Sequence, residues 1–270
     1  IATAFMDSIP MVIISGQVQS HLIGTDAFQE TDMIGVSRPI VKHSFTVDKQ
    51  ENIANIVAEA FHIATSGRQG PVLIDVPKDL TNPDDLFDFV YPDKVHIRSY
   101  NPPIKPENHQ VSRAVDAILA SERPVIYAGG GTISSNASKE LRELNDLIDA
   151  PVTNTLMGLG VFPGTHKRFL GMLGMHGTYQ ANMAMHNADL IIALGARFDD
   201  RITNAPDKFA PRAKVIHFDV DHSSVSKIIE ADIAVFGQIK DSLQAINNHL
   251  KTKIDEIDNE KLAPWHQQIS

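Results

Sequence analysis

Residues 195–201 read GARFDDR, which gathers Arg197, Asp199, Asp200 and Arg201 into one short stretch. Guanidinium forks pair bidentately with phosphate oxygens and neighbouring carboxylates accept from hydroxyls, so the set suits a diphosphate flanked by hydroxyl groups. A solvated loop carrying surface ion pairs would have the same composition. A second acidic candidate is Asp219, which ends the apolar run VIHFD. At the end of a later strand such a carboxylate accepts from ribose hydroxyls; its alternative role is to cap a helix beginning near Ser223. Gly129, Gly130 and Gly131 follow the apolar VIYA and resemble a dinucleotide-binding turn, in which glycines let a pyrophosphate approach backbone N–H groups. The spacing is not GxGxxG, because the third position falls on Ser134, and a plain structural turn is the other reading. Leu170–Gly177 (LGMLGMHG) reads as a glycine-spaced loop whose Met172, Met175 and His176 either pack on a flat ring or simply fill space. Gly24–Asp32 (GTDAFQETD) has neither period and reads as a loop or short helix, lining a site or lying on the surface. The 12 histidines show no metal-ligand spacing, and no Ser-His-Asp arrangement or nucleophile elbow is present. The chain thus offers binding groups without an obvious nucleophile, acid or base.

The elements that must position these groups alternate between strand and helix. Buried-strand runs stand at Pro10–Ser15, closed by Gly16-Gln17, and at Val72–Val76, which Gly70-Pro71 leads into and Pro77-Lys78-Asp79 terminates. Between them Asp48 and Glu51 form a capping-box-like start for a helix carrying Ile53, Ile56, Val57, Ala60 and Ala64, ended by Gly67. From Leu80 to Glu107 periodicity disappears and prolines accumulate, which reads as a semi-rigid linker. Val111, Ala114, Val115, Ile118 and Leu119 then mark an amphipathic helix leading into the strand VIYA. A further helix presents Leu141, Leu144, Leu147 and Ile148, with Ser135 or Asn136 as its expected cap. Strands are expected at 151–155, 189–194, 215–219 and 233–236. This alternation predicts parallel, doubly wound α/β sheets, and Gly195 would turn the chain at the ligand-binding end of one strand.

With 270 residues, 43% of them hydrophobic, the chain can bury a sizeable core and is expected to hold two domains. A net charge of -9 and the absence of a basic stripe argue against nucleic acid or an anionic membrane as main partner. No cysteine is present, which excludes disulfides and thiolate chemistry and permits a reducing compartment. No apolar run approaches the roughly 20 residues of a membrane span. The chain opens at Ile1 without an initiator Met or signal-peptide pattern, as an excised piece would.

Several motifs occur together and in order: GTDAFQE at 24–30, VKHSF at 41–45, SGRQGPVLIDVPKD at 66–79, LGMHG at 173–177 and GARFDDR at 195–201. They resemble those of the acetolactate synthase (acetohydroxyacid synthase) catalytic subunits, over nearly the whole chain. The resemblance implies a cytoplasmic, thiamine-diphosphate-dependent enzyme that also carries FAD and Mg2+. It would condense two pyruvates, or pyruvate with 2-ketobutyrate, with loss of CO2, as a homodimer or dimer of dimers with a possible small regulatory subunit. It implies that residues 1–88 are the C-terminal part of a pyrimidine-binding domain, 89–106 a Pro-rich linker, 107–252 a central FAD-binding domain, and 253–270 a tail leading to a diphosphate-binding domain. Carried over motif by motif, FAD contacts fall on Arg68, Gly129, Gly130, Gly131, Thr155, Leu156, Leu173, Met175, His176 and Gly177. They continue through Gly195, Ala196, Arg197, Asp199 and Arg201 to Asp219 and Val220. Gln29 and Lys78 match catalytic positions near the thiazolium ring, and Phe28 lines the substrate channel. Two positions depart from the family pattern: Gln69 stands where proline is usual, and Gln238 where an aspartate near the adenine is usual. The family's cofactor-activating glutamate and its Mg2+-diphosphate domain match no segment here, so the 270-residue piece is expected to be inactive alone. Pyruvate oxidase, glyoxylate carboligase and a non-catalytic nucleotide-binding module are the alternatives, separable by product.

Overall fold

A computed structural model describes residues 1–258 and 260–269. The chain divides into two compact units, Ile1–Asn101 and Pro102–Ser270. In the first, α1 (Ala2–Met6), β1 (Met11–Gln17), α2 (Met33–Ser37), β2 (His43–Thr46), α3 (Ile53–Thr65) and β3 (Pro71–Pro77) follow in sequence. Their three strands form a parallel sheet in the order β1-β3-β2. The central strand is covered on both faces along almost its whole length, which is why PVLIDVP shows no alternation. Asp75 within it is 2% exposed and is satisfied by Ser15 Oγ at 2.5 Å and Gln17 Nε2 at 3.0 Å. The capping box expected from Asp48 and Glu51 does not form. A 3-10 turn at Gln50–Asn52 precedes α3, and Asp48 instead accepts from Asn52 Nδ2 at 2.7 Å. The short strand β2 carries HSFT, too brief to show a period, and was not visible in the sequence pattern.

No helix or strand occurs among the described residues between Asn82 and Glu107, where the prolines accumulate. The part of this stretch up to Asn101 still belongs to the first unit, since Ile97 and Tyr100 cover its core and Tyr100 Oη donates to Ser66 O at 2.8 Å.

The second unit contains α4 (Asn108–Ala120), β4 (Pro124–Ala128), α5 (Gly130–Ser134), α6 (Ser138–Ile148), β5 (Val152–Asn154), β6 (Phe169–Met172) and α7 (Tyr179–Asn187). It continues with β7 (Leu190–Leu194), α8 (Asp200–Thr203), β8 (Lys214–Asp219), β9 (Ile233–Phe236), α9 (Ile239–Thr252) and α10 (Ala263–Ile269). The six strands are parallel, in the order β6-β5-β4-β7-β8-β9. Alternate strand residues feed two cores. Ile126, Ile192 and Ile216 pack with α4, α6 and α9, while Tyr127, Ile191 and Val215 pack with α7 and α10. The sheet is therefore doubly wound, and its strand order reverses between β4 and β7, where such sheets open a ligand crevice at the strands' carboxyl ends.

Three expectations change here. Leu170–Gly177 is not all loop: Phe169–Met172 adds β6 at the sheet edge, disguised by Gly171 at φ +88. Neither Ser135 nor Asn136 caps α6; Asn136 takes a left-handed φ of 52 and Ala137 occupies the cap position without a side-chain bond. No helix starts near Ser223, where the chain makes turns that Asp221 holds by accepting from Ser223 N and Ser224 Oγ. The residues after Lys253 fold back on this unit: Trp265 is 2% exposed and donates from Nε1 to Pro124 O at 3.1 Å.

Candidate functional site

At the carboxyl ends of β4 to β9 the connecting loops are sewn into one rim by backbone hydrogen bonds. Thr155 N donates to Ala128 O, Leu173 N to Asn154 O, Gly195 N to Phe218 O and Gly237 N to Asp219 O, at 2.9–3.2 Å. Met175 N donates to Arg201 O at 3.1 Å, so the methionine loop touches the arginine loop directly. The glycine turn is part of the same seam. Gly129 N–H donates to Leu194 O and Gly131 N–H to Gly195 O, at 2.9 and 3.1 Å. These two N–H groups are therefore engaged within the protein, and the turn serves first as a packing surface. A Cβ on Gly129 would meet Gly195 O at 2.2 Å, and one on Gly195, whose φ is +57, would meet Gly131 Cα at 2.6 Å. Gly130 and Gly131 are half-buried beside this contact, and Ala196 is buried under it.

Charge on the rim comes from the loop after β7. Arg197 Nη2 lies 2.9 Å from Asp199 Oδ2, with both side chains about one-third exposed, and Arg201 points further into solvent beside Asp200. Asp199 also opens α8, accepting from Arg201 N at 3.0 Å. That backbone N–H, followed by Asp200 and the charges of Arg197 and Arg201, outweighs burial and holds its carboxyl below the usual aspartate range. Asp219 lies half-buried at the end of β8, accepting from Asp221 N at 2.8 Å, with Val220 beside it. Leu156, Met157 and Met175 are exposed on the rim. Thr155 spends its hydroxyl on Gly158 N, Leu173 is buried in the core, and His176 is exposed. Gly177 is a tight turn whose Cβ would meet Met172 O at 2.2 Å. Two guanidinium groups, a carboxylate on a later strand and bare apolar side chains form a donor set that fits a diphosphate, a ribose and a flat ring respectively.

The first unit holds its candidates separately. Glu30 closes the loop by accepting from Gly24 N and from Ala27 N, which lowers its pKa. That ring leaves Phe28 90% exposed and turns Gln29 outward at φ 63. Gln17 Nε2 ties the loop to the sheet through Thr31 O at 2.9 Å. Lys78 is exposed just past β3, beside Asp79, whose carboxylate is held by Ser20 N and Oγ. Arg68 donates from Nε to Ser8 Oγ at 3.0 Å and lies over the Phe5 ring. Among the described residues no group of three or more His, Asp or Glu could hold a metal ion, and no helix is long and apolar enough to cross a membrane.

Sequence reasoning missed a buried row beneath the arginine loop. Phe198, between Arg197 and Asp199, is 1% exposed, and its ring meets Tyr127 and His217. The available signal was an aromatic residue set among four charges in RFDDR.

The family model for the central domain of thiamine pyrophosphate enzymes matches residues 111–246. The chain is 57% identical over 251 residues to the acetolactate synthase large subunit of Buchnera aphidicola subsp. Acyrthosiphon pisum, covering 93% of this chain and 44% of that protein. It is 49% identical over 269 residues to the acetolactate synthase isozyme 3 large subunit of Escherichia coli, covering 100% of this chain and 47% of that protein. It is 44% identical over 265 residues to the acetolactate synthase large subunit of Corynebacterium glutamicum, covering 98% of this chain and 42% of that protein. The chain thus spans less than half the length of these relatives. Because the domain match takes in just over half of the chain, the chain belongs to the thiamine pyrophosphate enzyme family.

Proposed function

We propose that the protein containing this chain is an acetolactate synthase, which decarboxylates pyruvate and joins the two-carbon unit to a second 2-keto acid in branched-chain amino-acid biosynthesis. The observation that carries this reading is the run of large-subunit relatives over 93–100% of the chain, joined to a rim that has the donor set for a dinucleotide. When bound, thiamine diphosphate would supply the carbanion chemistry with Mg2+ as its metal, and FAD would be a structural partner. Arg197 and Arg201 bind the FAD diphosphate and its neighbouring hydroxyls, and Asp219 accepts from the adenosine ribose. Leu156 and Met175 flank the flat ring, and the glycines at 129–131, 177 and 195 allow the loops to approach closely. Thr155, Leu173, His176, Ala196, Asp199 and Val220 complete that site through backbone position or by fixing the arginines. Gln29, Phe28 and Lys78 orient the keto acid. In this reading the first unit is part of the pyrimidine-binding domain, the second is the FAD-binding domain, and Gln238 replaces a carboxylate acceptor by an amide on the adenine side. The name large subunit in the relatives supports a small regulatory partner. A cytoplasmic homodimer or dimer of dimers is the expected assembly.

The test is product identity in the full-length protein given pyruvate, thiamine diphosphate, Mg2+ and FAD. Acetolactate is expected. Acetate with electron transfer would mean a pyruvate oxidase, tartronate semialdehyde from glyoxylate a carboligase, and no keto-acid consumption a binding module.

A further inference from the structure

The Arg197–Asp199 ion pair does not by itself hold the loop that carries it. Those residues are about one-third exposed, and an ion pair of that kind contributes little to order. Phe198 between them is buried and adopts φ 55, a left-handed conformation that an aromatic residue rarely takes and that persists only where its surroundings impose it. The surroundings are specific. Tyr127 on β4 pairs with Ala193 on β7, which pairs with His217 on β8, so the three side chains share one face of the sheet. Between the two large rings stands a methyl group, and the Phe198 ring spans that gap. Its centroid lies 5.6 Å from Tyr127 and 5.3 Å from His217, edge-to-face with the latter at 87°, and Phe209 closes it from a third side at 5.9 Å. Such geometry matches the quadrupole preference of aromatic pairs.

The polar atoms of the seat make no hydrogen bonds of their own. Tyr127 Oη and both ring nitrogens of His217 are buried without a hydrogen-bond partner, a disposition that a core chosen only for stability would avoid. His217 Nε2 lies 3.7 Å from Asp219 Oδ2, so the same ring that receives Phe198 stands against the carboxylate that ends β8, the strand next to β7. We infer that Phe198 is a positioning residue: docked between Tyr127 and His217, it fixes the backbone of the arginine loop so that Arg197 faces the cofactor diphosphate in register with Asp219. This rests on the proposed FAD site and adds to it a residue that touches no cofactor.

The experiment compares wild type, Phe198→Ala, Phe198→Leu, Phe198→Gly and Met185→Ala in the full-length protein by flavin-fluorescence titration. Met185 is a buried member of the same core on α7 and serves as the control for stability loss. FAD affinity should fall about tenfold or more in Phe198→Ala and Phe198→Gly, since a misplaced Arg197 forfeits most of a charge-assisted contact. Phe198→Leu should recover most of it, and Met185→Ala should bind as wild type despite a lowered Tm. A second readout needs no flavin: trypsin should cut the apo protein after Arg197 and Arg201 faster in Phe198→Ala, but not in Met185→Ala. Equal affinity in wild type and Phe198→Ala, wild-type affinity in Phe198→Gly, or equal weakening by Met185→Ala would each overturn the inference while leaving the FAD site standing. If Phe198→Ala does not fold, an Phe198→Leu protein that folds and loses FAD as fully as an Arg197 truncation would overturn it too. A wild-type protein that binds no FAD would remove the site and the inference together.

Discussion

Asp199 does two things at once: it opens α8 by accepting from Arg201 N, and it pairs with Arg197. Its folded pKa lies below the unfolded one, chiefly through that backbone N–H. The stability it contributes is therefore fully present above the ordinary aspartate pKa of about 3.9 and is lost as pH falls through the folded value. The Tm gap between wild type and Asp199→Asn should be constant at neutral pH and close only below that range; a gap unchanged at the acid end would mean that the charge contributes nothing. Phe28, Gln29 and Lys78 show the opposite disposition, exposed on a loop and a strand end with no core packing. Gln29→Ala and Lys78→Ala should change Tm by no more than about 0.5 kcal/mol in equivalent stability while lowering turnover. Normal kinetics with a large fall in Tm would assign them a structural role. These residues were legible because charged and amide groups past an apolar run need no neighbour to be noticed. Asp75 was hidden within VLIDV, since only the fold brings Ser15 and Gln17 to its carboxylate.

Among elements, long apolar runs and helices with a clean stripe were readable in advance, and β4, β7, β8, β9, α3, α4 and α6 lie where the pattern put them within a few residues. Short edge pieces were not. β2 and β6 have four residues each, and α7 buries Ala181, Ala184 and Met185 while exposing Tyr179, so its stripe is blurred. Helix starts failed for a related reason: a 3-10 turn before α3 and a left-handed Asn136 before α6 replace the side-chain caps that composition suggests. The seam between the β4 and β7 loops could not be inferred from glycine count, because it depends on two turns meeting. Gly195→Ala should be destabilising by roughly 1–3 kcal/mol from overpacking, with a further penalty for the positive φ. Urea unfolding reads this directly, and a neutral substitution would show that the seam yields. Trp265→Ala should cost about 3–5 kcal/mol by leaving a cavity against α7 and freeing α10, measured in the same way.

At the scale of the whole molecule, the doubly wound order of the larger unit directs six loops to one edge, and that edge carries every charged group proposed to hold the cofactor. The relatives are about twice as long as this chain, so catalysis is assigned to the full-length protein. The 270-residue piece alone should form no acetolactate, and measurable product from it would place the reacting groups within these two units. The central claim is that the β4/β7 crevice binds FAD through the loop after β7. Its most direct test is titration of FAD into the full-length wild type and Arg197→Ala, followed by flavin fluorescence, with far-UV circular dichroism confirming an intact fold. Loss of a charge-assisted contact of about 1.5–3 kcal/mol should raise the Kd roughly ten- to a hundredfold, and excess FAD should restore activity. Equal dissociation constants would contradict the account and leave residues 195–201 as a solvated ion-pair loop.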